Sequence, residues 1–181
     1  CALRYEAGGG YLYFHPVTSS APLIVNASLA ELHVVGGLVT EFQSATGKTW
    51  FTDQAWLATG NVFGGEVDAD VHGSSAVDWN IYGGSVVCRR DINAAILYGG
   101  RLTVTGGLAV AGSVKIGGGA RVAWGGGNIG EVRVDNGEFD GSSPERPFTI
   151  TDLYYSDEAV IKLAANVTVT NKHPLGGRGE F

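Results

Sequence analysis

The stretch Asn80-Ile81-Tyr82-Gly83-Gly84 decides the fold, because its pattern returns shortly afterwards as Ile96-Leu97-Tyr98-Gly99-Gly100. Each copy is a short run of strand-forming residues that ends in paired glycines, and such glycines are typical of tight turns. Recurrence of one short unit along a chain indicates a repeat protein. The other copies are His33-Val34-Val35-Gly36-Gly37, Asn61-Val62-Phe63-Gly64-Gly65, Val114-Lys115-Ile116-Gly117-Gly118-Gly119, Val132-Arg133-Val134-Asp135-Asn136-Gly137 and the degenerate Leu153-Tyr154-Tyr155-Ser156-Asp157.

The interval between copies indicates the architecture. Apolar residues stand two positions before most of the turn residues and about three after them, which predicts strand–turn–strand modules. One module cannot bury its apolar face alone, so successive modules must stack. The turn residues taken as equivalent are Gly36, Gly64, Gly83, Gly99, Gly118, Asn136 and Ser156, and their residue numbers differ in succession by 28, 19, 16, 19, 18 and 20.

The fold predicted is therefore all-β: a single-stranded parallel β-helix (β-solenoid) of 6–7 coils, each about 16–20 residues long. Residues 1–28 are predicted to form an N-terminal capping or attachment segment, 29–171 the solenoid and 172–181 a C-terminal tail. Caps are expected because an open solenoid end exposes an unpaired strand edge. The long first step contains residues 49–56, which we interpret as an inserted strand pair or a loop that stands off the column.

The composition excludes several classes of protein. The chain has 29 Gly, 17% charged residues and a net charge of −6 with acidic groups scattered along it, so we expect no nucleic-acid partner. No apolar run approaches the roughly 20 residues that span a bilayer, and the start has no signal-peptide core, so no membrane is expected. Two cysteines, Cys1 and Cys88, are too few for a disulfide framework, and Cys88 is predicted to be an inert buried or half-buried thiol.

Motifs for cofactors and metals are lacking in the sequence. The glycine-rich strings match neither dinucleotide nor phosphate-loop patterns, and the four histidines have no metal-ligand spacing. We therefore expect no cofactor, no metal site and no catalytic residue.

The segment from Glu66 to His72 alternates strictly, which places Glu66, Asp68, Asp70 and His72 on one face of a strand. A solvated outer face is the favoured interpretation, and a cation site or acid–base catalysis are the alternatives. Arg89 and Arg90 follow one coil later, where they are predicted to pair with these acids.

The four tryptophans, Trp50, Trp56, Trp79 and Trp124, are suited either to packing or to stacking on sugar rings, and packing is favoured. Trp50 and Trp56 are nevertheless kept as candidate surface binding residues.

Three stretches together resemble the β-helical virion structural proteins of tailed bacteriophages, of the head-decoration, fibre or spike type. They are Trp79 to Arg90, Phe148 to Tyr155 and Val167 to Asn171.

The resemblance implies a non-enzymatic rigid projection, made in the host cytoplasm and located in the virion. Its expected partners are copies of itself, most simply in a homotrimer, the major capsid protein or another virion protein, and a host cell-surface glycan. Tyr11, Tyr13 and Phe14 of the N-terminal segment are then candidate attachment residues.

Two alternatives stay open. One is a polysaccharide-binding or polysaccharide-degrading tailspike-like β-helix with Asp68, Asp70 and Asp78 as its carboxylates. The other is a fragment of a bacterial surface adhesin, located outside the cell.

Overall fold

A computed structural model describes residues 3–5, 11–14, 21–25, 31–34, 37–44, 46–71, 76–106 and 109–176. Their regular elements are 19 β-strands. In this part of the chain no helix is long and apolar enough to cross a membrane. The strands are β1 (Leu3–Tyr5), β2 (Tyr11–Phe14), β3 (Ala21–Val25), β4 (Glu31–Val34), β5 (Gly37–Ser44), β6 (Lys48–Phe51), β7 (Ala55–Val62), β8 (Glu66–Ala69), β9 (Val77–Ile81), β10 (Ser85–Cys88), β11 (Ile92–Leu97), β12 (Arg101–Val104), β13 (Ala111–Ile116), β14 (Ala120–Trp124), β15 (Ile129–Val134), β16 (Gly137–Gly141), β17 (Phe148–Tyr155), β18 (Ala159–Leu163) and β19 (Val167–Pro174).

Alternate strands build two parallel sheets. The odd-numbered strands form a ten-stranded sheet and the even-numbered strands a nine-stranded sheet, so one coil contributes one strand to each. Strands β6 to β19 make seven such coils, and β1 to β5 continue both sheets at the N-terminal end. The register partners Val62, Ile81, Leu97, Ile116 and Val134 have residue numbers that differ in succession by 19, 16, 19 and 18. The predicted parallel β-solenoid is confirmed.

The core is a continuous apolar column between the two sheets. Inward positions repeat from coil to coil, so that Val62, Ile81 and Leu97 stack in register with at most 1% of each exposed. Burying one side chain of this size contributes about 1.5–3 kcal/mol. The buried residues include apolar residues that precede the predicted turns and apolar residues that follow them, such as Val67, Val86 and Leu102.

The glycine corners stack as closely as the strands. Gly65, Gly84 and Gly100 have φ values of +77°, +72° and +73°. A Cβ atom at these three positions would lie 2.4 to 2.6 Å from a backbone oxygen of the preceding coil. Only glycine meets both conditions, which is why the pair recurs.

Two details of the predicted repeat are wrong. Val34 ends β4 in the nine-stranded sheet, whereas Val62 ends β7 in the ten-stranded sheet, so the copies that contain them are not equivalent. This shift produces the long first step, and Gly36 itself lies outside the described residues. The segment 49–56 is not an insertion, because β6 pairs in register with β4 and β8 and β7 begins at Ala55.

At the N-terminal end, β1 to β3 belong to the same two sheets as the later strands. β3 pairs with β5 and β2 pairs with β4. The role of residues 1–28 as a cap or attachment segment stays a prediction.

At the C-terminal end, pairing extends to Pro174 of β19. In this last coil the inward residues Ile161, Leu163, Val167 and Val169 are only partly buried, because a coil covers them on one side.

The thiol of Cys88 is buried in the column, as predicted. It contacts the carbonyl oxygen of Arg90 at 3.4 Å. Burial raises the pKa of this thiol above its usual value, which disfavours the reactive thiolate.

Candidate functional site

The outer face of the nine-stranded sheet carries two columns of side chains that run along the rod. The side chains of one column are mostly long and charged. In the other column the side chains differ in size, from Trp50 through Val87, Thr103 and Ala123 to Asp140. The short middle side chains of the second column, Val87, Thr103 and Ala123, border indentations of this surface. We call this surface the outer groove. Its charged column comprises Lys48, Glu66, Ser85, Arg101, Arg121 and Glu138, with serine as the one uncharged member, and its second column Trp50, Asp68, Val87, Thr103, Ala123 and Asp140.

Three depressions lie along the outer groove. The first, of 310 Å³, is lined by Trp50, Asp68 and Val87 together with neighbours of the charged column. The second, of 80 Å³, lies between the charged column and Ala123, and the third, of 220 Å³, lies between Thr103 and Ser142. The first lies over β6, β8 and β10, whereas the second and third lie side by side over β12, β14 and β16, so the face is indented in two separate regions along the rod.

The N-terminal end of the outer groove is aromatic. Trp50 is half-buried, and its ring stacks on that of His33 with centroids 4.8 Å apart and planes 14° from parallel. Tyr13 of β2 is paired with His33 in the strand register, and Tyr11 and Phe14 lie on the same strand. Trp50 is therefore half-buried at this end of the outer groove, and its role in binding, like that of Tyr11, Tyr13 and Phe14, stays a prediction.

The other end of the outer groove is rich in hydroxyl and carboxylate groups. Asp140 accepts hydrogen bonds from the backbone N and the hydroxyl of Ser142, at 3.0 and 2.6 Å. These bonds lower the pKa of Asp140, so the group is a carboxylate at neutral pH. Glu145 accepts a bond from the backbone N of Gly106 at 3.1 Å, which holds the loop 142–147 beside the groove. Hydroxyls and carboxylates of this kind can bind a polyhydroxylated ligand.

Ion pairs join successive coils at the acidic segment. A guanidinium–carboxylate pair links Arg89 to Asp68, and Arg90 Nε lies 3.2 Å from Asp70 Oδ1. The hydrogen bond to Asp68 raises the pKa of Arg89. The pairing predicted from the sequence is confirmed, and each such partly exposed pair contributes up to about 1 kcal/mol.

The predicted alternation of the acidic segment is also confirmed. Val67 and Ala69 are buried, while Glu66 and Asp68 face outward. Glu66 forms an ion pair with Lys48 at 3.2 Å. His72 lies outside the described residues.

The structure does not bring the other predicted residues to this face. Asp78 lies on the outer face of the ten-stranded sheet, where it accepts a hydrogen bond from Asn93 at 2.7 Å. Trp56 is 38% exposed on that same sheet. Among the described residues, no group of three His, Cys, Asp or Glu side chains could hold a metal ion.

The prediction that the tryptophans pack in the interior is confirmed for two of the four. Trp79 and Trp124 are in the core, with 1% and 2% exposed. Trp124 Nε1 donates to the carbonyl of Gly127 at 2.9 Å, which satisfies its polar group.

An aromatic surface that sequence reasoning missed lies at the corner between the sheets. Phe63, Tyr82 and Tyr98 occupy equivalent positions in three successive coils. They are 53%, 45% and 49% exposed, respectively. Their ring centroids are 4.8 and 4.9 Å apart, with planes within 6° of parallel. The signal in the sequence is that each stands directly before a Gly-Gly pair. We call these three residues the aromatic ladder.

Comparison of the chain with known proteins gives no match. No family model matches the chain, and neither a curated protein nor a solved structure matches it. The functional argument therefore depends on the geometry and on the chemistry of the side chains.

Proposed function

We propose that this chain is a non-enzymatic structural protein of a virion, a rigid β-helical projection that binds a surface glycan along its outer groove. The observation that carries the binding role is the indented outer groove, which has an aromatic stack at one end and hydroxyl and carboxylate groups at the other. The column of buried residues beneath it keeps these groups fixed relative to one another.

Binding is favoured over catalysis by the state of the carboxylates. Asp68 and Asp70 are each paired with an arginine, and Asp78 lies on the other sheet. The pKa of Asp140 is lowered, whereas glycoside hydrolysis requires one carboxylic acid with a raised pKa.

A glycan is the favoured ligand because of the chemistry and the length of the groove. An aromatic ring face such as that of Trp50 suits the apolar face of a sugar. From Trp50 to Asp140 there are five strand steps, which span about 24 Å at about 4.8 Å each. That length accommodates several sugar units in an extended chain.

The place in a virion is supported by the resemblance of residues 79–90, 148–155 and 167–171 to β-helical virion proteins. The proposed partners are the major capsid protein or another virion protein, and the number of copies that the resemblance implies is three.

The test is an antibody against the purified chain, applied to gradient-purified particles from the source culture by immunoblot and immunogold microscopy. We expect labelled particles, and particles that lack the chain would refute the virion assignment.

The groove is tested separately by titration with purified cell-surface polysaccharide of the host. We expect a change in tryptophan fluorescence on binding that is lost in Trp50→Ala and kept in Trp56→Ala, the matched control on the other sheet. A reducing-end assay on the same mixtures should stay flat. Release of oligosaccharides, or equal loss of binding in both variants, would contradict the proposal.

A further inference from the structure

Two arginines lie next to each other on the outer groove. Arg101 of β12 pairs in register with Arg121 of β14, so both side chains belong to the charged column. Adjacent strands are about 4.8 Å apart, and like charges opposite each other at this spacing destabilise a sheet. On its other side Arg101 pairs in register with Ser85, which carries no charge. Neither register neighbour therefore compensates the charge of Arg101.

The ten-stranded sheet shows how the same rod accommodates two adjacent cations. Lys115 pairs in register with Arg133, and each of them has a carboxylate of its own. Lys115 Nζ lies 3.8 Å from Glu131 Oε1, and Arg133 Nε lies 3.0 Å from Asp135 Oδ2. That pair of cations is therefore neutralised within the chain.

The carboxylates closest to Arg101 are engaged with other groups. Glu138 is shared by Arg121, whose Nε lies 3.5 Å from Oε2, and by Lys162, whose Nζ lies 2.5 Å from Oε1. Asp140 accepts two hydrogen bonds from the loop after β16, and the attraction of Arg101 reaches it only at longer range. Within the part of the chain that the structure describes, no carboxylate forms an ion pair with Arg101.

The charges around the second depression consequently do not cancel. Arg101, Arg121 and Lys162 supply three cations, whereas Glu138 and Asp140 supply two carboxylates. The uncompensated positive charge borders a depression of 80 Å³. A water occupies about 30 Å³ in the liquid, so the depression has room for a group of about three heavy atoms. A carboxylate has this size, and the planar fork of a guanidinium binds it through two parallel hydrogen bonds.

The depression beside it suits the rest of a sugar ring. The third depression, of 220 Å³, shares Ala123 and Asp140 with the second. It is also bordered by Thr103 and Ser142, which carry hydroxyls. Glu145, the other acid of this region, lines only the third depression, where a carboxylate can accept hydrogen bonds from sugar hydroxyls. One acidic sugar unit can therefore place its carboxylate in the second depression and its hydroxyls in the third.

We propose that the glycan of the outer groove is an acidic polysaccharide, and that Arg101 and Arg121 hold the carboxylate of one of its sugar units. This inference rests on the proposed glycan-binding function and adds the chemical class of the ligand. The carboxylate of the ligand does for Arg101 what Glu131 does for Lys115 on the other sheet. A neutral glycan leaves the charge of Arg101 unpaired, so it binds more weakly.

The first experiment compares two forms of the host cell-surface polysaccharide by isothermal titration calorimetry. One form is native, and in the other the carboxylates are reduced to primary alcohols, which leaves phosphate and sulfate groups in place. We expect the reduced form to bind about tenfold or more weakly, which is the effect of losing one hydrogen bond between charged groups. Equal binding of the two forms would overturn this inference and leave the proposed function intact. Binding of neither form would contradict both.

The second experiment locates the carboxylate on the protein. Arg101→Gln should bind the native polysaccharide about tenfold more weakly and the reduced form with unchanged affinity. Lys115→Gln is the matched control, because it removes one positive charge from the other sheet. Arg101→Lys keeps the charge but lacks the guanidinium fork, so its loss should be smaller. Equal losses in Arg101→Gln and Lys115→Gln would show a general effect of charge and overturn the assignment.

A third measurement predicts a gain, which damage to the fold would not produce. Glu138→Gln releases Arg121 and Lys162 from their shared carboxylate and removes a negative charge beside the second depression. The native polysaccharide should then bind about threefold or more tightly, while the affinity for the reduced form stays the same. Circular dichroism checks that each variant is folded. Weaker binding of the native form by folded Glu138→Gln would contradict the proposal.

Discussion

Substitution of Gly60 by alanine tests the claim that neighbouring coils are fitted to each other in the core. Gly60 pairs in register with Trp79 of the next coil. A Cβ atom on Gly60 would lie 2.2 Å from Cζ3 and 2.5 Å from Cε3 of the Trp79 ring. Carbon atoms make favourable contact at about 3.5–4.0 Å, so the ring would have to move by more than about 1 Å.

The ring cannot easily move, because only 1% of Trp79 is exposed. Overpacking of this kind costs about 1–3 kcal/mol. For a chain of this length the loss lowers Tm by about 2–12 °C. The assay is guanidinium unfolding followed by circular dichroism, with thermal unfolding as a second measure.

The mechanism is isolated by repeating the substitution in Trp79→Leu. Removal of the ring costs about 2–5 kcal/mol by itself. In that background Gly60→Ala should be neutral or stabilise by up to about 1 kcal/mol, because alanine restricts the unfolded chain. Gly176→Ala is the control, since a Cβ there meets nothing within 4 Å. Equal destabilisation by Gly60→Ala in both backgrounds would refute the reasoning.

Three further predictions rest on the same structure. In Gly84→Ala, alanine would have to adopt a φ of +72°, and its Cβ would lie only 2.4 Å from the carbonyl oxygen of Gly65. We therefore expect the same unfolding assay to show a loss of stability of about 1–3 kcal/mol or more. A loss no larger than that of Gly176→Ala would contradict this prediction. Hydrogen bonds from His173 and Asn171 lower the pKa of Asp152, so its contribution to stability is present above the usual Asp pKa of about 4 and is lost as the pH falls through the folded-state pKa. NMR titration should show this lowered pKa moving back toward its usual value in His173→Ala, and no movement would show that the bond is not its cause. Because burial raises the pKa of Cys88, iodoacetamide should modify this thiol only when the chain unfolds. The measurement is mass spectrometry of labelled protein in a Cys1→Ser background. Rapid labelling of the folded protein would contradict the buried position.

The fold can be predicted from the sequence because the repeat encodes both the strand and the turn. Residues such as Val67 and Val86 lie at fixed distances from their glycines, and the same spacing places them on one inward column. The phase of the first repeat cannot be predicted in this way. A short apolar strand followed by Gly-Gly has the same appearance at either corner of the coil, so the pattern alone places the copy at Val34 in the wrong sheet.

The candidate site can be predicted only in part, since it depends on register. The sequence identifies Trp50, but its stacking partner His33 lies one coil earlier and is a neighbour only when the coils are aligned. Asp78 is grouped with Asp68 because they are close in sequence, yet successive strands alternate between sheets. The aromatic ladder is visible as a recurring aromatic before Gly-Gly, but its exposure depends on which way the corner turns.

The direction of strand pairing has a mechanical consequence. Hydrogen bonds between coils are parallel to the rod axis, so a pulling force along that axis loads the coils in series and the weakest one yields first. The coil from Ala159 to Pro174 is paired on one side only and has half-exposed inward residues. Under axial tension the described coils should therefore separate one at a time, beginning at the contact between coils that buries the fewest side chains, and not all at once.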